Sequence, residues 1–356
     1  MPSVTGRRRR VVVASLAVSA PMGQQVYEAQ LVRALTPLLP DSWVLEERQV
    51  GSARSRGDVD VRLPLRLVGR GPLGVEHVIS RLAYGRADLV HRMDLRLPSP
   101  AGREVLTVHD LACLQFPDEG ELPRRAAESA RRATAMVTVS EFSADEISEA
   151  LGVTRPIVIP SGIEHSVSAG PALSDAELDY LGVGHSFVIH MGGATQRKNL
   201  EGLAEAWRLL ASERPALGLV LCGPEHPRRT SLFGALPRCH LLGRIDPTTL
   251  AGLRRRARVV VVPSLHEGFG LPALEAMAVG TPVVAARRGA LPEVCGDGAL
   301  LVEPDGHSLA EGIGRVLDDQ AGTAAMVDRA RARAATFTWE RSARAHLAVY
   351  RDVTGF

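Results

Sequence analysis

Short apolar runs recur along this chain, each too brief for a helix and each followed by a stretch with helical spacing, and the series stops and restarts near residue 185. That alternation constrains the fold, because parallel strands cannot be joined by tight turns and need a crossover, usually a helix. In the first half the runs are 11–18, 61–67, 88–91, 104–109, 135–139 and 157–159, with helical patterns near 24–36, 74–86, 122–133 and 142–151. In the second half they are 186–190, 217–222, 240–242, 259–262, 282–285 and 300–302. Between the halves, 166–184 lacks periodicity and reads as a linker. The expected architecture is α/β with two doubly wound domains, 1–165 and 185–335, and a final helix within 336–356 that packs back on the first. At 356 residues the chain has the length for two cores. Ligand loops then belong at the carboxyl ends of the strands, in a central cleft that the two domains face.

Charge and composition exclude several partners. A net charge of +2 with only 4% aromatic residues argues against nucleic acid. Cys113, Cys222, Cys239 and Cys295 are widely spaced, with no metal-ligand pattern, which suits a reduced, cytoplasmic protein. No apolar run approaches the roughly 20 residues of a membrane span. Arg7 to Arg10, followed by the apolar run 11–20 ending in Val18-Ser19-Ala20, imitates a signal peptide. The run is needed as a first strand, so a buried strand behind a basic tail is expected, with a peripheral membrane contact through the tail as the membrane option. Among 42 Lys and Arg, Lys198 is the single lysine. Retention of one ammonium in a chain that uses arginine elsewhere points to a site where the two are not interchangeable.

The most informative stretch runs from Val259 to Ala278 and reads strand, loop, helix. Pro272 suits a first helical turn. Gly268 and Gly270 let the backbone approach a ligand, and a helix N-terminus offers unsatisfied N–H groups to an anion. Glu267 and Glu275 flank this turn and can face one bound molecule. A second cluster, Gly192-Gly-Ala-Thr-Gln-Arg-Lys-Asn199, follows the strand 186–190 and contains that lone lysine. A glycine turn followed by two cations suits a diphosphate that gains charge as its bond breaks.

These motifs closely resemble the retaining glycosyltransferases of family four, which have the GT-B fold of two Rossmann-like domains. Their hallmark is Glu, seven residues, Glu, the spacing of Glu267 and Glu275. The flanks agree through Glu267-Gly-Phe-Gly-Leu-Pro, Glu275-Ala-Met-Ala-Val-Gly-Thr-Pro and Leu291-Pro-Glu-Val-Cys-Gly-Asp-Gly298. By the resemblance, Glu275 holds the ribose of a nucleotide donor and Glu267 contacts the transferred sugar. The backbone at Gly268, Phe269, Gly270 and Leu271 holds sugar and phosphate, while Gly192, Gly193, Arg197 and Lys198 hold the diphosphate. Relatives carry Arg-Lys-Asn or Arg-Lys-Gly at 197–199, and many have a further Arg where this chain has Gly193. In the first half, Val105-Leu-Thr-Val-His-Asp-Leu111 is similar to a strand whose His, here His109, reaches the donor sugar. Gly23 and Gln24 occupy the place of a glycine-rich acceptor or phosphate loop. Val137-Thr-Val-Ser-Glu-Phe-Ser143, Val158-Ile-Pro-Ser-Gly-Ile-Glu164 and Phe337-Thr-Trp-Glu340 extend the likeness over nearly the whole chain.

The resemblance implies retaining transfer of a hexose, mannosyl- or rhamnosyl-like, from a GDP-, dTDP- or UDP-linked donor to a glycan, lipid or natural-product hydroxyl. It implies no cofactor and no metal. Competing readings are weaker on the residues. Asp58-Val-Asp60 matches a metal-binding DxD but lacks a preceding apolar strand, and Gly182-Val-Gly184 precedes its strand where a dinucleotide fingerprint would follow it. A hydrolytic carboxylate pair would not need Arg197 and Lys198 beside it. A GT-B sugar-nucleotide epimerase and a non-catalytic GT-B partner subunit remain the alternatives.

Overall fold

A computed structural model describes residues 7–18, 23–52, 59–65, 73–163 and 170–355. The chain forms two compact units, one drawn from 1–111, 121–162 and 338–356, the other from 112–120 and 163–337. The first contains a parallel sheet of β1 (Arg9–Leu16), β2 (Trp43–Ser52), β3 (Val61–Leu63), β4 (Leu89–Arg92), β5 (Glu104–Thr107), β6 (Ala135–Thr138) and β7 (Ile157–Val158), in the order β3-β2-β1-β4-β5-β6-β7. The second contains β8 (Phe187–Met191), β9 (Gly218–Cys222), β10 (Cys239–Gly243), β11 (Val259–Val262), β12 (Val283–Ala286) and β13 (Leu300–Val302), in the order β10-β9-β8-β11-β12-β13. Each sheet reverses direction of winding once, at β1/β4 and at β8/β11, and in doubly wound sheets that reversal opens the ligand crevice.

The apolar runs become strands because both sheet faces are covered. Val259 to Val262 are all buried, which is why four valines in a row read as a continuous hydrophobic run rather than an alternation. The helix Leu200–Glu213 shows the complementary pattern: Leu203, Ala206, Trp207 and Leu210 are buried, while Glu201, Glu205 and Arg208 face water. β1 takes most of the run at 11–18 into an interior strand of its sheet, flanked by β2 and β4, with Val11 to Ala14 buried. Arg9 and Arg10 belong to that strand, and the Arg10 guanidinium is held by Glu46.

β2 is a strand that the hydrophobic pattern does not announce. Its middle reads Glu46-Glu47-Arg48-Gln49, polar enough to hide a strand, and the ion pair between Glu46 and Arg10 of the neighbouring strand makes those charges tolerable. The final helix, Trp339–Thr354, is capped by Thr338, whose hydroxyl accepts from Arg341 N–H at 3.1 Å. It is tied into the first unit by Tyr350 hydroxyl to His91 Nδ1 at 2.6 Å and His346 Nε2 to Tyr27 hydroxyl at 3.2 Å. Gly162 lies so close to this helix start that a Cβ would fall 2.2 Å from Trp339 N.

The segment 112–120, expected within the first domain, clusters with the second unit. Asp118 and Glu119 bond to Gln196 N–H and to the Arg197 guanidinium, and the Phe116 ring packs edge-on against His266, centroids 6.3 Å apart. Within the expected linker, Asp175–Tyr180 is a short helix closed by a capping box between Ser174 and Glu177. Ser19, Ala20, Pro21, Met22, Asp58 and Glu164 lie outside the described residues. Among the described residues no helix is long and apolar enough to cross a membrane.

Candidate functional site

At the winding reversal of the second sheet, two loops leave neighbouring strands. After β8 the chain turns at Gly192, whose φ of 153° is one that side-chain-bearing residues rarely adopt, and Gly192 N–H donates to Cys222 carbonyl at 3.1 Å. A short 3-10 turn, Gln196–Lys198, then carries the two cations into Asn199. Asn199 has φ 51°, in the left-handed region that asparagine and glycine tolerate best. Its Oδ1 caps the next helix through Gly202 N–H at 3.3 Å, and its amide donates to Pro263 and Pro304 carbonyls. The residue after Lys198 therefore has a backbone reason to be Asn or Gly, and that turn swings Lys198 toward β11.

After β11, Ser264 and Glu267 come back to meet it. Lys198 Nζ donates to Glu267 Oε1 at 2.6 Å, the Ser264 hydroxyl donates to the same oxygen at 2.7 Å, and Arg197 Nη1 donates to Oε2 at 3.2 Å. Glu267 and Lys198 are 6% and 7% exposed, so this is a buried charge cluster. Burial alone would push the Glu267 carboxyl up. The Lys198 ammonium and Arg197 guanidinium, with hydrogen bonds from Lys198 and Ser264, outweigh it and hold the carboxyl down at about 2. Arg197 also pairs with Glu119, and Gln196 N–H donates to Asp118 Oδ2 at 2.7 Å. The sequence reading missed Ser264, Asp118 and Glu119, since nothing local marks any of them.

The loop then reaches Gly270, which has φ 98° and would strike Leu291 Cδ2 at 2.7 Å if it carried a Cβ. It caps the helix Leu271–Val279, with Pro272 in the first turn. Phe269 is buried edge-on against Phe337, ring centroids 5.7 Å apart, which fixes the loop between Gly268 and Leu271. Glu275, one turn into that helix, is half-buried and accepts from Arg254 Nη2 at 2.6 Å. The two acids of the Glu-x7-Glu motif thus meet different cations: Glu267 meets Lys198 and Arg197, Glu275 meets Arg254. Among the described residues no group of three or more His, Cys, Asp or Glu is placed to hold a metal ion.

In the first unit, His109 follows β5 and packs edge-on against Tyr27, ring centroids 4.6 Å apart. Its Nε2 is buried without a partner among the described residues, and burial lowers its pKa, so the ring is a neutral imidazole near pH 7. Gly23 begins the helix Gly23–Leu35 at the winding reversal of this sheet. The Gln24 amide donates to Met93 carbonyl at 3.0 Å and to Glu28 at 3.2 Å, so it braces the loop. Glu28, which the motif reading did not include, is buried, and that burial pushes its carboxyl up to about 7 against hydrogen bonds from Gln24 and Ser15. Ser140 caps the helix Glu141–Leu151 through Ser143 N–H at 3.0 Å, which gives it a structural role.

Residues 182–333 match the family model of glycosyl transferases group 1. The chain is 30% identical to O-antigen chain mannosyltransferase B of Escherichia coli, over 71% of each chain. It is 31% identical to the D-inositol 3-phosphate glycosyltransferase of Arthrobacter sp. over 78% of this chain and 73% of that protein. Among solved structures, it superposes on sucrose-phosphate synthase from Thermosynechococcus elongatus with a TM-score of 0.75, covering 98% of this chain and 100% of that one at 24% identity. At that identity the likeness shows the fold, which is GT-B.

Proposed function

This chain belongs to the glycosyl transferases group 1 family, and from that premise we propose that it is a retaining hexosyltransferase, mannosyl- or rhamnosyl-like, which uses a GDP-, dTDP- or UDP-linked sugar and a glycan, lipid or natural-product hydroxyl. The observation that carries the reading is the Glu267 cage. One buried carboxylate holds a lysine and an arginine beside a glycine turn, at the winding reversal of the donor-type unit. Two cations oriented in advance act on a leaving diphosphate without reorganising during the reaction.

In the proposed step the acceptor oxygen bonds to the anomeric carbon on the face from which the diphosphate departs. The carbon–oxygen bond to the diphosphate breaks, and the acceptor proton passes to a phosphate oxygen. Arg197 and Lys198 stabilise the charge that grows on the leaving group, Glu267 orients both cations and contacts the sugar, and Glu275 binds the ribose. His109, neutral and with an unpartnered Nε2, is suited to a sugar hydroxyl. Incubation with GDP-mannose, dTDP-rhamnose and UDP-glucose, with the released nucleoside diphosphate measured, tests the reading. Release from none of them, or a product of inverted anomeric configuration, would overturn it.

Two consequences follow from these roles. Turnover should be undiminished in excess chelator, because Arg197 and Lys198 take the place of a metal at the diphosphate. Activity lost to chelator and restored by magnesium or manganese would reject that assignment. Glu275→Gln should weaken nucleoside diphosphate binding by about 10- to 100-fold, since hydrogen bonds to a charged group contribute roughly 1.5–3 kcal/mol. Calorimetry on the folded variant showing wild-type affinity would remove Glu275 from the ribose.

A further inference from the structure

Three successive carbonyl oxygens of the glycine turn point at two arginines of one helix, Pro227–Phe233. Arg229 Nη2 donates to the carbonyl oxygens of Gly192, Gly193 (3.2 Å) and Cys222 (3.4 Å), and Arg228 Nη1 donates to that of Ala194 at 3.0 Å. A trans peptide is planar, so each carbonyl opposes the N–H of the following residue. With the carbonyls of 192, 193 and 194 drawn toward the helix, the N–H groups of Gly193, Ala194 and Thr195 turn to the other side, and among the described residues they meet no acceptor. The next N–H in the row, that of Gln196, carries the Asp118 carboxylate at 2.7 Å. Successive N–H groups presented this way form an anion-binding nest.

Arg229 differs from the other cations around the turn. Arg228 is paired with Glu201, Arg197 with Glu119 and Glu267, and Lys198 with Glu267. Arg229 is 3% exposed and has no carboxylate partner among the described residues. A buried guanidinium without a counter-anion is costly. The fold nonetheless makes room for it: at Gly223, φ 140°, a Cβ would stand 2.0 Å from Gly192 carbonyl oxygen and 2.7 Å from Arg229 Nη2.

We propose that Arg229 is a positioning residue for the donor diphosphate: it turns the N–H groups of 193–195 outward and adds uncompensated positive charge behind them. It thereby does from the neighbouring helix what Gly193, lacking a side chain, cannot. This rests on the nucleotide-sugar reading above. Arg228 assists at Ala194 but spends its charge on Glu201.

Calorimetry with GDP, dTDP and UDP, and with guanosine, thymidine and uridine, on wild type, Arg229→Gln and Arg229→Lys tests it. For the diphosphate that wild type binds, Arg229→Gln should lose about 10- to 100-fold in affinity, the size of a lost charge-assisted interaction. Its nucleoside affinity should stay within about twofold, and its kcat should fall along with a rise in KM. Arg229→Lys, which keeps the charge, should recover part of the loss. Unchanged diphosphate affinity, or an equal loss for the nucleoside, overturns the role. Should the variants not fold, amide exchange in the wild-type protein decides: the diphosphate must protect 193–195 and the nucleoside must not, and failure of either rejects the proposal. A wild type that binds no nucleoside diphosphate would refute the donor reading itself, whereas binding that leaves these amides indifferent would refute only the part given to Arg229.

Discussion

Lys198→Ala is expected to lower kcat by about 10²–10³-fold, the cost of losing one preorganised donor to a leaving group. The loss should fall on kcat more than on KM, because in the proposed role the ammonium contributes most when the diphosphate carries its full charge. The substitution also strands the buried Glu267 carboxylate with one cation fewer, so the melting temperature should drop. Single-turnover rates measured well below that temperature, on protein shown to be folded by circular dichroism, separate the two effects. Lys198→Arg is the sharper comparison in a chain with no other lysine, where arginine fills every other Lys or Arg position. The Lys198 socket is almost closed, and a planar fork must displace Ser264 or the glycine turn to fit it. Its rate should fall at least tenfold. Wild-type turnover by the arginine variant would mean that the lone lysine is a compositional relic.

Glu267→Gln should cost about as much in rate, and it should also change the pH dependence of stability. The folded carboxyl, at about 2, lies below its ordinary value of 4.5. A depressed acid of this kind stabilises the fold fully above the unfolded value, and the contribution is lost as pH falls through the folded one. Wild type should therefore lose melting temperature between about pH 4.5 and 2, and the glutamine variant should lose less over the same window while starting lower at pH 7. Removing one member of a buried pair costs roughly 3–5 kcal/mol. Nucleoside diphosphate should restore part of the variant's stability, because it brings anionic charge to Lys198 and Arg197. Parallel pH profiles for the two proteins would show that Glu267 is not held ionised by these cations.

Much of the fold was legible because its signals are local. The valine run at 259–262 has to be covered on both faces, and the restart of the pattern after residue 185 separates two sheets. β2 was not legible, because its Glu46 is paired with Arg10 of a neighbouring strand and pairing across a sheet leaves no mark in either segment alone. The same limit hid the membership of 112–120. Asp118 and Glu119 look like surface acids in a polar stretch, and their bonds to Gln196 and Arg197, about eighty residues away in sequence, help tie that stretch to the second unit together with the Phe116 ring against His266.

At the candidate site the division follows from the reach of each interaction. The sequence by itself marked the candidate residues: the two acids with seven residues between them, the glycines beside them, the single lysine and the histidine after β5. Backbone demands made the glycines visible, since a left-handed turn such as that at Gly270 and a proline in a first helical turn restrict residue type wherever they occur, while motif spacing and the scarcity of lysine marked the charged residues. Only the tertiary structure decided which charge meets which. It joined Glu267 to Lys198 and Arg197, gave Glu275 to Arg254, spent Gln24 on Met93 and Glu28, and brought Arg228 and Arg229 to the carbonyls of the glycine turn. An arginine looks the same in sequence whether a carboxylate, a carbonyl or water receives it. Its partner depends on how strands and helices distant in sequence pack, and that partner sets its electrostatic role.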